Sequence, residues 1–390
     1  MKIGFLMKSP FYFGGEQRVV SVIASALAQN GYEVGILYTA FDKKVNRDLY
    51  NLDERVELYQ LKGKSQKYSI KRICYKALKK INNDTSFLKK CPKILEKIYY
   101  YRDEKLLKNI CETINKNNFD IVIGSSGFFS VTLAILKEKL NCKVFGWQHN
   151  CYEAYFRTKN RYYWHQDVIF EKYLQKLDEY IVLTNYDKKN MKKYFNLESK
   201  VINNPRSFSS KEKTNLSNKT FLSLGRLEDA KGYDLLLESF KTFAKENKEW
   251  NLNIVGEGSK EEYIKSKLKE YNLQNRVTLY PFTNDVKKYL KEASVFLLPS
   301  KWEGFGLVIL EAFEMGIPVI AYKLGPVQEI IDDKQNGYLV EKFDIAQYAK
   351  CMLNIVENKD NLKKMSENAI KKSEKYSIEN IVENWKEILC

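Results

Sequence analysis

A glycine-rich segment at residues 300–312 carries the strongest chemical signal in the sequence. It reads SKWEGFGLVILEA and follows an apolar run, Val295–Leu298, that predicts a buried strand. Gly304 and Gly306 let a ligand approach the backbone closely, and a helix is predicted to open in this segment. The free N–H groups of a first helical turn suit a phosphate. The segment therefore indicates a phosphate-binding turn between a strand and a helix.

Two carboxylates, Glu303 and Glu311, lie in this segment eight residues apart. On an ideal helix that spacing is about 12 Å along the axis. The two carboxylates of a glycosidase stand closer, at about 5–9.5 Å, on either side of one bond. The spacing instead favours a grip on opposite ends of one extended molecule, with a diphosphate between them at the helix start. A nucleotide-sugar has that shape, and a glycosidase is disfavoured.

Two cations follow a predicted strand that ends in Gly225. Arg226 comes directly after this glycine and Lys231 five residues later. Two fixed cations can neutralise a diphosphate leaving group without a metal ion, and arginine adds a bidentate contact. Taken singly, each is more often a surface charge. Their shared position after the first strand of a domain favours the phosphate-binding interpretation.

Weaker signals come from a histidine and from two glycine turns. His149 lies at the carboxyl edge of a predicted strand, where it faces the expected cleft, but a packed histidine with a satisfied hydrogen bond explains it equally well. The Gly14-Gly15 turn between a strand and a helix suits a phosphate. It is not G-x-G-x-x-G, so a nicotinamide or flavin site gains little support. Gly256, after another strand, is only suggestive.

Short apolar strands alternate with helical periodicity along the chain, which predicts parallel sheets covered on both faces. The fold class is therefore α/β, with two doubly wound Rossmann-like domains facing a central cleft. The predicted boundaries are an N-terminal domain at 1–205, a polar linker at 206–219, a C-terminal domain at 220–375 and a last helix at 376–390 that returns to the first domain. The predicted strands are Ile3–Met7, Val34–Tyr38, Asp120–Ile123, Cys142–Trp147, Tyr180–Thr184, Lys200–Ile202, Thr220–Leu224, Leu252–Val255, Val277–Tyr280, Val295–Leu298, Val319–Tyr322 and Tyr338–Val340.

The composition describes a globular protein of 390 residues with 44% hydrophobic residues and a net charge of +16. It has no apolar run of 18 residues and no signal-peptide pattern, and its seven cysteines lack C-x-x-C spacing, so a reducing cytoplasm is expected. Nearly all the positive surplus lies in the first 200 residues and is densest from Lys62 to Lys108. This pattern favours helices on an anionic membrane face. A lysine-rich solvated surface is almost as good an explanation, and a nucleic-acid groove is the weakest.

The ordered set of motifs resembles the family 4 retaining glycosyltransferases of the GT-B fold over nearly the whole chain. The likeness lies in Gly14-Gly15, His149, Gly225-Arg226-Leu227 with Lys231-Gly232, the Glu303 to Glu311 segment, and Gly316-Ile317-Pro318. Two positions depart from the family pattern: Gln17 replaces a glutamate, and the usual Gly-Gly before a Pro-Glu pair reads Gly325-Pro326-Val327-Gln328-Glu329.

The resemblance implies roles for individual residues. Glu311 is expected to bind the ribose, Glu303 with the amides of Gly304, Phe305 and Gly306 the donor sugar, and Arg226, Lys231 and the amides of Leu307 and Val308 the diphosphate. Gly256, Pro281 and Phe282 are expected near the nucleotide, His149 near the reacting sugar, and Gly15 near the phosphate and acceptor. The expected catalytic residues are His149, Arg226, Lys231 and Glu303.

The resemblance implies metal-independent transfer of a hexose or N-acetylhexosamine, with retention, from a nucleotide-sugar of the UDP class. No cofactor, metal or nucleic acid is expected. The basic first domain favours a lipid-linked or surface-glycan acceptor, as in bacterial surface polysaccharide or capsule synthesis, with the protein peripheral at the inner face of the cell membrane. The alternatives are a non-catalytic glycosyltransferase-like protein that binds a partner and a nucleotide-sugar epimerase.

Overall fold

A computed structural model describes residues 1–40, 45–63, 70–101, 103–159 and 161–390, without the side chains of residues 70–72. The chain forms two compact units. The first contains Met1–Asn204 together with Ile378–Cys390, and the second contains Pro205–Ser377. Each unit is an α/β domain built on a parallel sheet.

The first unit is built on a seven-stranded parallel sheet in the order β3-β2-β1-β4-β5-β6-β7. Its strands are β1 (Lys2–Met7), β2 (Glu33–Tyr38), β3 (Glu57–Gln60), β4 (Ile121–Ser125), β5 (Lys143–Trp147), β6 (Glu179–Val182) and β7 (Lys200–Val201). Its helices before the second unit are α1 (Gly15–Gln29), α2 (Ile70–Thr85), α3 (Pro92–Tyr99), α4 (Glu104–Lys116), α5 (Ser126–Leu136), α6 (Asp167–Leu174) and α7 (Asn185–Phe195). The order changes direction between β1 and β4, so the ends of these strands form a switch point of the kind at which open α/β sheets bind ligands.

The second unit has a six-stranded parallel sheet in the order β10-β9-β8-β11-β12-β13. The strands are β8 (Thr220–Leu224), β9 (Asn251–Val255), β10 (Val277–Tyr280), β11 (Val295–Leu298), β12 (Val319–Tyr322) and β13 (Gly337–Val340). The helices are α8 (Tyr233–Glu246), α9 (Glu261–Glu270), α10 (Val286–Lys291), α11 (Leu307–Glu314), α12 (Val327–Ile330), α13 (Ile345–Glu357) and α14 (Lys359–Glu374). Here the switch point lies between β8 and β11, the two strands that precede the predicted cations and the predicted phosphate-binding turn.

The hydrophobic pattern located the strands well. All twelve predicted strands are present, and four in the second unit have the predicted bounds: Thr220–Leu224, Val277–Tyr280, Val295–Leu298 and Val319–Tyr322. The strand β3 was not predicted. It is a four-residue edge strand, and none of its side chains is fully buried, so it lacks the apolar run that marks an interior strand of a parallel sheet.

Residues 206–219, predicted as a linker, belong to the second unit and are fixed to α11. Glu314, at the end of that helix, is 1% exposed and pairs with both Arg206 and Lys213. The Lys213 ammonium lies 2.7 Å from Glu314 Oε1, and the backbone N–H of Ser210 donates to the same oxygen at 2.7 Å. This stretch lacks apolar core residues, so its attachment is polar.

The last helix, α15 (Ile378–Leu389), belongs to the first unit. Its Trp385 is fully buried and packs against Trp147, with 4.7 Å between ring centroids, and against Phe5 at 6.2 Å. The core of the first unit therefore includes side chains from both ends of the sequence. In the described part of the chain, no helix is long and apolar enough to cross a membrane.

Candidate active site

The ends of β8 and β9 approach each other through two glycines. The Gly225 N–H donates to the carbonyl of Val255 at 3.1 Å. Gly256 has φ +155°, and a Cβ there would lie 1.9 Å from the carbonyl oxygen of Gly225. Because a side chain at position 256 would collide with this backbone, the close approach requires glycine. The residues that follow both strands are thereby held at one edge of the second sheet.

Lys231 is positioned by a short turn against the loop after β11. It ends the 3-10 turn Asp229–Lys231, and Gly232 follows with φ +66°. A Cβ on Gly232 would lie 2.0 Å from the carbonyl oxygen of Pro299, so this backbone contact also requires glycine. The N–H of Lys301 donates to the carbonyl of Ala230 at 2.8 Å, which ties the two loops together.

The structure brings Lys231 and Glu303 into direct contact. The Lys231 ammonium donates to Glu303 Oε1 at 2.5 Å, and the Ser300 hydroxyl donates to the same oxygen at 2.6 Å. Glu303 is 8% exposed. Both bonds use Oε1, which leaves Oε2 with no hydrogen-bond partner among the residues the structure describes. The pair therefore presents an ammonium and a carboxylate oxygen side by side.

The helical spacing expected between Glu303 and Glu311 is wrong. The helix α11 begins at Leu307, after the cap residue Gly306, so only Glu311 lies on it and the rise per residue cannot be applied to the pair. Gly304 and Phe305 belong to the loop before the helix. The amides of Leu307 and Val308 lie in the first turn, where N–H groups have no partner within a helix. The predicted turn between a strand and a helix is thus present, with Glu303 in its loop, and its binding of phosphate stays a prediction.

Glu311 lies on α11, one turn beyond its first residues, and is 3% exposed. Its Oε1 accepts a hydrogen bond of 2.6 Å from the hydroxyl of Ser207, a residue of the stretch predicted as a linker. Glu314 lies three residues further along the same helix and is the buried partner of Arg206 and Lys213. Glu314 is therefore paired with two cations, and Glu311 accepts a hydrogen bond from the Ser207 hydroxyl.

The remaining predicted donor residues are more exposed. Arg226, Pro281 and Phe282 are exposed side chains, and Phe282 is 48% exposed. The Phe282 N–H donates to a carboxylate oxygen of Glu257 at 3.3 Å, so the turn after β10 is bonded to the residue after Gly256. This places the predicted nucleotide residues at the ends of neighbouring strands of one sheet.

Gly15 and His149 lie in the first unit, after β1 and β5 respectively. Gly15 opens α1. The His149 ring packs on Trp147 with 4.2 Å between ring centroids. The backbone N–H of His149 donates to the Tyr155 hydroxyl oxygen at 3.3 Å. Burial lowers the pKa of His149 to about 3, so its imidazole is neutral at pH 7. Its buried Nε2 has no hydrogen-bond partner among the described residues, which disfavours the interpretation as a packed histidine with every bond satisfied.

Comparisons with known proteins agree with this geometry. The family model for glycosyl transferases group 1 matches residues 206–372, and the model for glycosyltransferase family 4 matches residues 13–206. An uncharacterized glycosyltransferase of Haemophilus influenzae is 31% identical over 393 residues, which span 100% of this chain and 99% of that protein. This chain belongs to the GT-B glycosyltransferases.

Two further relatives have more specific names. The poly(ribitol-phosphate) alpha-N-acetylglucosaminyltransferase of Staphylococcus aureus is 27% identical over 89% of this glycosyltransferase and 70% of that protein. The amylovoran biosynthesis glycosyltransferase AmsD of Erwinia amylovora is 24% identical over 96% of both chains. Among solved structures, a variant of Staphylococcus aureus TarM in complex with fondaparinux, alpha-GlcNAc-glycerol and UDP has the same fold, with a TM-score of 0.74, 19% identity and coverage of 100% and 99%.

Three residues that adjoin or bond the predicted site residues were not found from the sequence. Ser300 and Ser207 bond the two glutamates, but serine is common in loops and neither has a spacing that marks it. Glu16 is the third: burial raises the pKa of its carboxyl to about 7, opposed by the nearby charge of Lys8. Its position directly after Gly15, in the first turn of a helix next to a predicted site, was the available signal.

Proposed function

We propose that this glycosyltransferase transfers a hexose or N-acetylhexosamine from a UDP-sugar, with retention, to a lipid-linked or surface-glycan acceptor in bacterial cell-surface polysaccharide synthesis. The observation that carries the proposal is the group formed by Lys231, Glu303 and Ser300 beside the start of α11. It combines a cation and free helix amides with a carboxylate oxygen. These groups suit a diphosphate and the sugar hydroxyls attached to it.

The proposed donor grip assigns one part of the ligand to each group. The first-turn amides of α11 and the ammonium of Lys231 bind the diphosphate, and Arg226 adds a second cation from its exposed position. Glu303 Oε2 accepts a hydrogen bond from a sugar hydroxyl, since Oε1 is already occupied. Glu311 accepts hydrogen bonds from the ribose, and its bond from Ser207 holds the carboxylate in place beforehand.

The proposed reaction takes place on one face of the sugar. The bond between the anomeric carbon and the diphosphate oxygen breaks, and the acceptor oxygen forms a new bond to that carbon. The acceptor's proton passes to the departing phosphate oxygen. The negative charge that develops on the leaving group is stabilised by Lys231, Arg226 and the helix amides, so side chains and backbone supply this stabilisation. We propose that no metal ion or cofactor takes part.

The neutral imidazole of His149 fits a place against the donor sugar, because it can donate or accept a hydrogen bond without adding charge at the anomeric centre. Its unsatisfied Nε2 supports this role. Gly15, at the start of α1, is proposed to lie near the phosphate and acceptor. The names of the relatives support the donor and acceptor classes, since one is an alpha-N-acetylglucosaminyltransferase of a phosphate polymer and another acts in amylovoran biosynthesis.

The positive charge concentrated in the first 200 residues supports an acceptor at an anionic surface. We propose a cytoplasmic protein that is peripheral at the inner face of the cell membrane. An acceptor polymer anchored there by a lipid would meet the site without leaving the membrane.

Ligand-dependent thermal unfolding tests the donor site. UDP-, GDP-, ADP- and TDP-sugars are added to the native chain, to Glu311→Ala and to Glu357→Ala, which changes an exposed glutamate of α13. A ligand at about 100 times its dissociation constant stabilises a protein by roughly 2.7 kcal/mol. UDP-sugars alone are expected to stabilise the native chain and the Glu357 variant, with or without EDTA. Stabilisation lost on EDTA addition would contradict the metal-free site, and none with any nucleotide would contradict the donor site.

The configuration of the product tests retention. With the stabilising UDP-sugar and a glycan acceptor, the coupling constant of the anomeric proton is followed by NMR as the product forms. Retention predicts the same anomeric configuration as in the donor. An inverted product would contradict the proposed one-face reaction.

A further inference from the structure

The helix α2 carries an apolar stripe on the side that does not face the core of the first unit. Of the basic segment between Lys62 and Lys108, residues 64–69 and 102 lie outside the described residues. Within the described part, Ile73 is 62% exposed and Ile81 is 48% exposed. In the described structure, the three exposed isoleucines are these two and Ile94, which lies on α3. An amphipathic helix that only covers a core has no need of isoleucine on its outer face.

The inner face of α2 is fixed to the unit. Tyr75 and Leu78 pack against the core cluster that contains Leu88 and Leu95. The side chain of Asn82 is fully buried and accepts a hydrogen bond of 3.1 Å from the backbone N–H of Leu88. This contact fixes the rotation of the helix, so the opposite side points to solvent.

Helical geometry places the exposed residues together. At about 100° per residue, Ile73, Ala77 and Ile81 lie within about 80° of one another on the outer face. The exposed Cys74 is seven residues before Ile81 and lies on the same stripe. The exposed Lys76 and Lys80 run along one flank of the stripe, and the acidic Asp84 is at its end. The outer face is therefore an apolar stripe with a basic border.

The 3-10 turn and the helix α3, which follow α2, also carry exposed apolar side chains and lysines. The 3-10 turn Phe87–Lys90 carries Phe87, which is 60% exposed, and α3 carries Ile94, which is 43% exposed. Five exposed lysines of this region form no ion pair with any residue the structure describes: Lys76, Lys80, Lys90, Lys93 and Lys97. Lys89, in contrast, pairs with Asp167 at 2.5 Å. We call the outer side of residues 73–97 the α2–α3 face.

We propose that the α2–α3 face docks on an anionic lipid bilayer, with its isoleucines and Phe87 inserted among the headgroups and its unpaired lysines on the lipid phosphates. This deepens the membrane association in the proposed function, because it names the surface and adds insertion to charge attraction. Interfacial helices combine an apolar stripe with lysines in this way. Apolar insertion and lysine attraction then act on the same partner.

The charges on the face disfavour the other occupants. A second copy docked through the same face would bring two sets of unpaired lysines together, which is repulsive. A nucleic-acid backbone would satisfy the lysines but would leave the isoleucines against charged phosphate. An anionic bilayer offers a hydrocarbon layer below a negatively charged surface and accommodates both.

Vesicle binding by the full chain tests the face. Cosedimentation is measured with phosphatidylcholine vesicles that contain 0% or about 40% phosphatidylglycerol, at low and physiological salt. Ile73→Ser/Ile81→Ser tests insertion, and Lys76→Glu/Lys80→Glu tests charge. The matched controls in the second unit are Lys363→Glu/Lys364→Glu, an exposed pair on α14, and Phe343→Ser, at a side chain that is 45% exposed. Circular dichroism and thermal unfolding verify that each variant is folded.

We expect the native chain to bind the anionic vesicles and not the neutral ones. Each α2 variant should bind at least about tenfold more weakly, since each lysine near such a surface contributes roughly a factor of five. The controls should stay within twofold of the native chain. Equal weakening by the controls, or unchanged binding by Ile73→Ser/Ile81→Ser, would overturn the proposal. So would a dimer, seen by analytical ultracentrifugation, that the isoleucine variant dissociates.

A label on Cys74 locates the contact directly. An environment-sensitive fluorophore is attached to Cys74 in a Cys390→Ser chain, and to Cys390 in a Cys74→Ser chain, since both thiols are exposed. Anionic vesicles should shift the Cys74 emission to the blue and leave the Cys390 emission unchanged. An equal shift of the emission at both positions on addition of vesicles would contradict docking through this face. Vesicle binding requires no nucleotide, so its failure is distinguishable from failure of the donor site.

Discussion

The ammonium of Lys231 and the carboxylate of Glu303 form an ion pair of 2.5 Å that joins the loops after β8 and β11. The side chain of Lys231 is 23% exposed and that of Glu303 is 10% exposed, so the pair is largely shielded from solvent but a ligand can still reach it. A diphosphate that arrives beside Lys231 would find a cation already positioned by a carboxylate. In the proposed function, this pair fixes the position of the cation before the diphosphate binds.

Replacing Lys231 with methionine should lower kcat by about 10²–10³-fold, the usual loss when one donor to a developing negative charge is removed. The melting temperature should change little by comparison. Lys301→Met is the matched control, because Lys301 lies in the adjoining loop after β11 but pairs with Asp229 and Asp234. Steady-state kinetics on both variants checks the prediction, and an equal decrease of kcat in the two variants would refute it.

Glu303→Gln keeps the shape of the side chain but removes the charge that holds Lys231. We expect the double variant with Lys231→Met to be little worse than Lys231→Met alone, because residues that act as a unit are not additive. A double-mutant cycle in kcat/KM measures this coupling. Additive losses would show that the two residues act independently.

The two glutamates of α11 should respond in opposite ways to substitution by alanine. Glu314→Ala leaves Arg206 and Lys213 partly buried without their carboxylate, so it should lower the free energy of unfolding by about 3–5 kcal/mol. Glu311→Ala removes the carboxylate proposed to bind the ribose, so it should weaken donor binding far more than it lowers the free energy of unfolding. Urea unfolding and nucleotide titration separate the two effects.

Gly256→Ala should disrupt the second unit, because the new Cβ would lie 1.9 Å from the carbonyl oxygen of Gly225. We expect a loss of several kcal/mol of unfolding free energy or no folded protein. Gly31→Ala is the control: Gly31 has φ +88°, and a Cβ there meets nothing within 4 Å. Gly31→Ala should lower the free energy of unfolding by only about 1–2 kcal/mol, the cost of placing alanine in the left-handed conformation. Similar losses in the two variants would argue against the steric explanation.

Glu16 should make stability depend on pH between about 4.5 and 7. Burial raises the pKa of its carboxyl in the folded protein to about 7, so in this window the folded state holds a proton that the unfolded state has released. Stability from this group is therefore present below pH 4.5 and is lost as the pH rises through 7. Glu16→Gln should remove that loss, while Glu367→Gln, at an exposed position, should not. Unfolding in urea at pH 5 and pH 7.5 measures the difference.

His149 should stay neutral across the working pH range. Burial lowers the pKa of His149 to about 3. The profile of kcat against pH should therefore show no rise or fall between pH 5 and 8 that is caused by titration of His149. The chain has only two histidines, so the ring proton resonances can be assigned with His149→Asn. Resonances of His149 that move between pH 5 and 8 would contradict its burial as a neutral ring.

The strands and the order of the motifs were predictable from the sequence because parallel strands are short apolar runs and the ligand residues follow them. The start of α11 at Leu307 was not predictable, because glycine and apolar residues fit a loop or the first turn of a helix equally well. The attachment of residues 206–219 depends on Arg206 and Lys213 reaching Glu314, about a hundred residues away. Contacts of that range leave no local pattern. The roles of the site residues stay predictions.

Trp385 lies on α15, yet it packs against Phe5 and Trp147 in the first unit. During synthesis, the ribosome must therefore translate the whole second unit before the first can close its core. The second unit is continuous from Pro205 to Ser377, so it can fold while the first still lacks a helix. A nascent chain arrested before residue 378 would expose the apolar surface that Trp385 covers, and it would be a natural substrate for chaperones.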